Sequence, residues 1–240
     1  MARLPSPTVP LDTVRVLLLD MNSTFMFGGD RFGPDEDFAA TYREIGGRAL
    51  AGDQVNRIVR VAFAFLAARY DAPAYEDDFP SLAEAFAAVA PELSIAELAL
   101  LENTFARHEI GVVPPAYVAA LRALSATHEL RLLTNIWAPK DAWVAELSRV
   151  GVLTLFRRAI FSSDGRSVKP SQHLVHTALE GVDCAPHEVL MVGDSLERDM
   201  RAGRRAGLTT AWVAPDAALP PEAAALVDYH LPSLLALGKG

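Results

Sequence analysis

The sequence predicts an α/β protein with a parallel-sheet core, helices on both sheet faces, and an all-helical segment inserted after the first strand. Two observations lead to this prediction. From about residue 110 onward, short apolar runs alternate with helical patterns, whereas the span before that region has helical spacing and no convincing strand. We expect residues 1–25 and 110–240 to form the core domain and residues 26–109 to form the inserted helical domain.

The first strand is predicted over 14–19, where five of six residues are apolar. A proline-containing arm, residues 1–13, leads into it. The strand ends at Asp20, and a short polar run over 22–24 follows at once. Such a run suits a loop that holds an anion beside a carboxylate, because its backbone amides and side chains offer hydrogen bonds.

The inserted segment is predicted to be a set of helices. Apolar residues recur at helical spacing over 53–70, and Ser81 and Ser94 each begin a further helix with a capping-box pattern. A glycine-containing loop over 28–33 precedes these helices, and we expect it to act as a mobile flap. Two prolines, Pro114 and Pro115, mark the return to the core.

The remainder of the chain alternates between helices and strands, which is typical of a parallel sheet covered on both faces. The predicted helices cover about 115–127, 139–150, 170–180 and 196–206, and the predicted strands cover 130–134, 159–162, 189–192 and 209–213.

Composition limits the classes of function. The 240 residues are 51% hydrophobic with a formal net charge of −8, which favours a chain with a sizeable core and argues against nucleic-acid binding. No apolar run has the length of a membrane span, and the first seven residues lack the apolar core of a signal peptide. The single cysteine, Cys184, excludes an intrachain disulfide. We therefore expect a cytoplasmic protein without a membrane partner, and the alanine-rich insert leaves a homodimer possible.

Polar residues stand at or just after the carboxyl ends of the predicted strands. They are Asp20, Thr134, Lys169 and Asp194, the last followed closely by Asp199. Because the carboxyl ends of parallel strands meet at one edge of a sheet, we expect these side chains to converge. Taken singly, each has a simpler explanation as a turn residue, a helix cap or a solvated lysine. Together they offer a nucleophile, a hydroxyl, an ammonium and an acidic pair, which suit phosphoryl transfer through an aspartyl intermediate with Mg²⁺.

The order of these residues resembles the haloacid dehalogenase-like hydrolase superfamily, which places four short motifs on a Rossmann-like core. Residues 20–24 resemble the first motif, Thr134 the second, Lys169 with Pro170 the third, and residues 193–199 the fourth. The helical insert resembles the type 1 cap of that family. The resemblance covers residues 14–24 and about 115–213.

This resemblance implies a Mg²⁺-dependent hydrolase, with a phosphatase for a small phosphorylated metabolite as the first hypothesis. It implies that Asp20 is the nucleophile and that Thr134 and Lys169 hold the transferring phosphoryl group. The residues expected to bind substrate are Asn22, Ser23, Thr24 and Asn135. The residues expected to hold Mg²⁺ are Asp20, Asn22 through its backbone carbonyl, Asp194 and, through the other ligands, Asp199.

Asn22 departs from the family pattern, which has a second aspartate there to protonate the leaving group and later activate water. An amide does neither, and such help is typically worth about 10²–10⁴ in rate. Three interpretations stay open: a substrate with a good leaving group, such as an acyl or aryl phosphate; a proton from another residue; or a catalytically impaired protein that binds a phosphorylated ligand. The candidate proton donors are Asp30, Asp35, Glu36, Asp37 and His108.

Two other activities of the superfamily fit the sequence less well. Its dehalogenases do not keep the acidic fourth motif, whereas this chain has both Asp194 and Asp199. Its phosphonate-cleaving branch uses a lysine from the cap, and residues 35–107 contain none.

Overall fold

A computed structural model describes residues 9–215 and 217–238. Within them, the strands are β1 (Val16–Leu19), β2 (Glu129–Thr134), β3 (Phe156–Phe161), β4 (Val189–Gly193), β5 (Thr209–Val213) and β6 (Tyr229–Leu231). They form one sheet in the order β3-β2-β1-β4-β5-β6, and every neighbouring pair is parallel. The predicted α/β fold with a Rossmann-like parallel sheet is confirmed.

Helices occupy the segments between the strands. Between β1 and β2 lie α1 (Phe38–Glu44), α2 (Gly52–Tyr70), α3 (Leu82–Val89) and α4 (Ile95–Glu109). After them come α5 (Pro115–Ser125), α6 (Asp141–Arg149), α7 (Gln172–Leu179) and α8 (Arg201–Arg205). No helix in the described ranges is long and apolar enough to cross a membrane.

The side chains of β1 alternate between two apolar cores because successive residues of a strand point to opposite faces. Leu17 packs in the core that contains Trp143 of α6, and Leu18 packs in the core that contains Val175 of α7. The buried side chains of the inserted helices join the first of these cores. Helices therefore cover both faces, and β1 is buried along its whole length.

Several local details differ from the predicted elements. The helix predicted over 196–206 begins with a π-helical turn, Leu196–Met200, before α8. At the start of α4, Ser94 accepts from the amide of Glu97, but the Glu97 carboxylate bonds to the hydroxyl of Tyr42 instead of closing a capping box. β6 was not predicted, because three residues that include a histidine give no readable apolar run. Residues 1–8 of the predicted arm lie outside the described residues, and Leu11–Thr13 form a 3₁₀ turn.

Candidate active site

The site lies where the order of the strands reverses. β1 pairs with β2 on one side and with β4 on the other. The chain adds β2 and β3 on one side of β1, and then adds β4, β5 and β6 on the opposite side. Ligands of open α/β sheets bind outside the strand ends at this point. Asp20 directly follows β1, and its amide donates to the carbonyl of Val192 at 2.9 Å. Asp194 directly follows β4, so the two carboxylates stand on adjacent strands.

Lys169 is the centre of the hydrogen-bonded cluster at this edge. Its Nζ donates to Asp20 Oδ1 at 2.5 Å, to Asp199 Oδ1 at 2.7 Å and to the carbonyl of Leu133 at 3.0 Å. The lysine side chain is 2% exposed, so all of its donors are used inside the protein. Burial lowers the pKa of the ammonium, but the charges of Asp199 and Asp20 outweigh burial and raise that pKa above its ordinary value.

Three carboxylates surround this single ammonium. Asp20, Asp194 and Asp199 each place an oxygen within 4.8 Å of the others. Burial raises the pKa of Asp20 to about 6 against the opposing effect of Lys169. Burial, together with the charges of Asp20 and Asp199, raises the pKa of Asp194 to about 8. The cluster therefore carries more negative charge than Lys169 neutralises.

The sequence around Asp199 fixes this carboxylate in place. A Cβ on Gly193 would lie 2.3 Å from Asp199 Cγ, so only glycine allows the close approach. Asp199 Oδ2 also accepts from the amide of Ser195 at 3.0 Å. One oxygen is thus held by the loop after β4, and the other receives the ammonium of Lys169.

The polar run after Asp20 divides between the buried interior and the cavity. Thr24 is fully buried, and its hydroxyl donates to Asp20 Oδ2 at 3.2 Å. Asn22 and Ser23 line the cavity described below, and Ser23 adopts a left-handed conformation with φ of 57°. Thr24 therefore lies behind the carboxylate, whereas Asn22 and Ser23 lie beside it.

Thr134 and Asn135 follow the end of β2. Thr134 is fully buried, and its hydroxyl has no hydrogen-bond partner among the described residues. Asn135 accepts from the amide of Lys169 at 2.9 Å and donates through Nδ2 to the hydroxyl oxygen of Tyr70 at 2.7 Å. Asn135 thus connects the loop that carries Lys169 to the end of α2, and its contacts hold Lys169 and Tyr70 in position.

A cavity of about 440 Å³ lies over Asp20, between the strand ends and the inserted helices. Its aromatic wall contains Phe63, Tyr70 and Trp137, with the rings of Phe63 and Tyr70 centred 5.3 Å and 5.4 Å from that of Trp137. Phe63 and Tyr70 belong to α2, and Trp137 follows β2. Tyr70 and Trp137 were not predicted at the site.

Arg198 ties the inserted helices to the motif after β4. Its guanidinium stacks over the ring of Tyr70 at 3.9 Å and donates to Asp71 Oδ1 at 2.8 Å and to the carbonyl of Lys169 at 3.2 Å. No sequence feature marks this contact, because an arginine within a helical turn is usually a solvated surface residue.

Of the five candidate proton donors, Asp30 alone lines the cavity. His108 Nδ1 lies 3.2 Å from Glu36 Oε2, and its other ring nitrogen contacts the hydroxyl of Thr41 at 2.9 Å. Asp37 caps α1 by accepting from the amide of Ala40, and Asp35 is exposed. The other four candidates therefore do not line the cavity that contains Asp20.

Glu109 is a cavity residue that the sequence analysis missed. It ends α4, is 4% exposed, and accepts from the amides of Trp137 at 2.6 Å and Ala138 at 2.9 Å. Burial raises the pKa of Glu109 to about 8, opposed by those two amides and increased by the charge of Asp30. A glutamate at a helix end, next to the candidate His108, has no sequence feature that marks it as buried.

The raised pKa of Glu109 predicts a pH-dependent contribution to stability. A carboxyl whose folded pKa exceeds its ordinary value of 4.5 stabilises the fold fully below that value, and this contribution is lost as pH rises through about 8. We expect the free energy of unfolding of wild type, relative to that of Glu109→Gln, to fall as pH rises between those two values. Urea unfolding of both proteins across that window measures it, and parallel pH profiles would contradict the assignment.

Comparison with known proteins agrees with the fold and with the motif order. A family model described as HAD-hydrolase-like matches residues 168–237. Pyrophosphatase PpaX from Bacillus pumilus is 28% identical over 137 residues, which are 56% of this chain and 62% of that relative. The chain spans between 36% and 62% of the length of the curated relatives it matches.

Two solved structures are similar over nearly the whole chain. A HAD phosphatase from Thermococcus onnurineus has a TM-score of 0.62 at 20% identity, covering 94% of this chain and 97% of that one. L-2-haloacid dehalogenase from Xanthobacter autotrophicus has a TM-score of 0.59 at 20% identity, with the same coverage. At this identity the two likenesses show the fold alone. The family model spans Lys169, Asp194 and Asp199, and the remaining motif residues meet them at the same sheet edge. The comparisons and the geometry of the site therefore agree with the resemblance to the haloacid dehalogenase-like hydrolase superfamily.

Proposed function

We propose that this protein is a Mg²⁺-dependent phosphatase that hydrolyses a small phosphorylated metabolite through a phospho-Asp20 intermediate. The observation that carries the proposal is the buried contact of Asp20 with Lys169 at the floor of a cavity of about 440 Å³. One oxygen of Asp20 receives the ammonium and the other receives the Thr24 hydroxyl, so the carboxylate is fixed in orientation. A fixed carboxylate at the end of a cavity is suited to nucleophilic attack.

The residues present fit a magnesium ion. The three carboxylate oxygens that lie within 4.8 Å of one another are hard ligands of the kind Mg²⁺ prefers. The raised pKa values of Asp20 and Asp194 reflect burial of negative charge that Lys169 does not fully balance, and a divalent cation would balance it. Asp20, Asp194 and the carbonyl of Asn22 would hold the ion, supported by Asp199. When bound, it would neutralise charge on the phosphoryl oxygens.

The chain's own residues account for the first half-reaction. A carboxylate oxygen of Asp20 attacks phosphorus, and the bond from phosphorus to the leaving oxygen breaks. Lys169, next to Asp20, offsets the negative charge of the phosphoryl group. Thr134 contributes a hydroxyl that has no partner among the described residues, and a phosphoryl oxygen would give it one. Water then attacks the phosphorus of phospho-Asp20 and releases phosphate.

The names of the related proteins support a phosphatase over other hydrolases. One relative is named as a pyrophosphatase, and one structural neighbour is titled a HAD phosphatase. The named dehalogenase shares the fold, but the resemblance implies that dehalogenases lack the acidic pair that Asp194 and Asp199 form here.

A panel of acyl, aryl and alkyl phosphates and pyrophosphate tests the proposal. Phosphate release is measured with Mg²⁺ and with chelator, and Asp20→Asn serves as the blank. We expect Mg²⁺-dependent release from at least one class and none in the variant. Ligand-induced thermal stabilisation without release from any compound would instead favour a phosphate-ligand-binding protein, which is the alternative raised by Asn22.

Removing Asp194 separates metal binding from folding. In chelator we expect Asp194→Asn to be more stable than wild type by about 1–3 kcal/mol at pH 7, since a unit of raised pKa corresponds to roughly 1.4 kcal/mol and solvent screens part of it. In Mg²⁺ we expect a rise in Tm for wild type and little or none for the variant. Equal metal-induced rises in Tm would argue against Asp194 as a ligand.

A further inference from the structure

The side chain of Asn22 leaves the proposed reaction without a proton donor at the usual position. Alkoxide leaving groups are poor, so hydrolysis of an alkyl phosphate needs a general acid, whereas acyl and nitrophenyl phosphates do not. A second cavity residue must therefore carry the proton if the protein is to hydrolyse alkyl phosphates. That residue needs an unengaged carboxyl or imidazole within the same cavity as Asp20.

Backbone contacts hold Asp30 at the cavity wall. The amide of Asp30 donates to the carbonyl of Glu109 at 3.0 Å, and the amide of Arg31 donates to the carbonyl of His108 at 2.9 Å. A Cβ on Gly29 would lie 2.3 Å from the carbonyl oxygen of Glu109, so glycine permits this close approach. The loop expected to act as a mobile flap is hydrogen-bonded along the end of α4, and these contacts hold the backbone of Asp30 in place.

The Asp30 side chain forms no hydrogen bond or ion pair with any residue in 9–215 or 217–238. The charge that acts on the Asp30 carboxyl is that of Arg31. The Arg31 guanidinium donates to the carbonyls of Gly28, Ile110 and Arg107. Asp30 is exposed, and partial desolvation of its carboxyl raises its pKa above the ordinary value despite Arg31. Its left-handed φ of 54° is unusual for a residue other than glycine and is tolerated best by aspartate and asparagine.

The other acidic groups on the cavity wall, outside the Asp20 cluster, are engaged. Both oxygens of Glu109 accept backbone amides. Asp71 pairs with Arg198 at 2.8 Å, and Glu197 pairs with Arg201. Asp30 is the carboxyl on this wall that is left open to a ligand.

We propose that Asp30 is the general acid and base of this site, in place of the residue that Asn22 replaces; the inference rests on the phosphatase function proposed above. In the first step Asp20 attacks phosphorus, and the leaving oxygen keeps the bonding electrons and takes the proton of the Asp30 carboxyl. The products are phospho-Asp20, the free alcohol and the Asp30 carboxylate. In the second step that carboxylate takes a proton from water as the water oxygen attacks phosphorus. Phosphate leaves, Asp20 is restored, and Asp30 is again protonated.

The test compares leaving groups in Asp30→Asn. The variant keeps the side-chain shape and the tolerance of left-handed backbone but has no proton to give. We expect kcat/KM for an alkyl phosphate such as propyl phosphate to fall by about 10²–10⁴-fold, and kcat/KM for acetyl phosphate to change by less than about threefold. Because kcat/KM reports the first half-reaction, slow breakdown of the intermediate does not obscure the comparison. The matched control is Asp35→Asn, which is exposed like Asp30 but does not line the cavity, so neither value should change.

The outcomes separate this inference from the function on which it rests. An equal loss for both substrates in Asp30→Asn indicates a structural role and overturns the inference, as does no loss for either. Wild type that hydrolyses acetyl phosphate but no alkyl phosphate also overturns it, and the phosphatase function stands. Failure of wild type to hydrolyse any member of the panel, or undiminished turnover in Asp20→Asn, overturns the proposed function itself.

Discussion

Asp20→Asn is expected to lower kcat by roughly 10⁴–10⁶-fold, because an amide cannot act as the nucleophile and removal of a covalent catalyst has effects of that size. The fold should survive. The amide oxygen can still accept from Thr24 or Lys169, and the substitution removes one of three clustered negative charges. Phosphate release and urea unfolding measure the two effects independently.

The control for this variant is Asp164→Asn. Asp164 lies in the turn after β3, and its exposed carboxylate pairs with Lys140. The control substitution should leave kcat unchanged. Activity near wild type in Asp20→Asn would rule out Asp20 as the nucleophile. Loss of both activity and folding would mean that the main role of Asp20 is to stabilise the fold.

Lys169→Met is expected to abolish turnover and to destabilise the protein by about 3–5 kcal/mol, the usual cost of leaving buried charges without their partner. The ammonium now contacts two carboxylates that are themselves 6% and 1% exposed. Without it, the pKa of Asp20 should rise further, because Lys169 is the main group that lowers it. Urea unfolding in chelator gives the change in free energy.

Lys140→Met is the matched control, since the Lys140 ammonium pairs with Asp164 at 2.8 Å where both side chains are about half exposed. An exposed pair contributes roughly 0–1 kcal/mol, so this variant should unfold close to wild type. Similar losses of stability in the two lysine variants would contradict the account of Lys169 as the electrostatic centre of the site.

The sequence was sufficient for five of the six described strands and for the residues at the edge of the sheet. Strands buried on both faces are continuous apolar runs, as in β4, and the polar residue that ends each run marks the carboxyl end of a strand. Parallel topology then requires these ends to meet. Asp20, Thr134 and Asp194 were predictable because each directly follows or ends such a run. Lys169 lies on the loop after β3, and its place in the site came from motif order.

The cavity wall was not predictable in the same way. Successive residues on a helix point about 100° apart, so the end of α4 presents either His108 or Glu109 to Asp20 depending on its rotation about its axis. The imidazole of His108 packs against Phe38 inside the insert. The Glu109 carboxylate therefore faces the core, where it accepts from the amides of Trp137 and Ala138. No local pattern encodes that rotation.

The link between the inserted helices and the core depends on contacts between distant segments. Tyr70 ends α2, and its ring receives the guanidinium of Arg198 while its hydroxyl oxygen accepts from Asn135. These residues are separated by 128 and 65 positions in the chain. Neither periodicity nor capping signals report contacts over such separations, so this part of the site required the structure.

Trapping of the covalent intermediate tests the central claim most directly. The wild-type protein is mixed with Mg²⁺ and acetyl phosphate, quenched in acid within the first turnover, digested and mapped by mass spectrometry. The account predicts one added phosphoryl group on the peptide that contains Asp20, and none on that peptide from Asp20→Asn. Phosphate release by the wild type without a phosphorylated Asp20 peptide, or with the phosphoryl group on another residue, would contradict it.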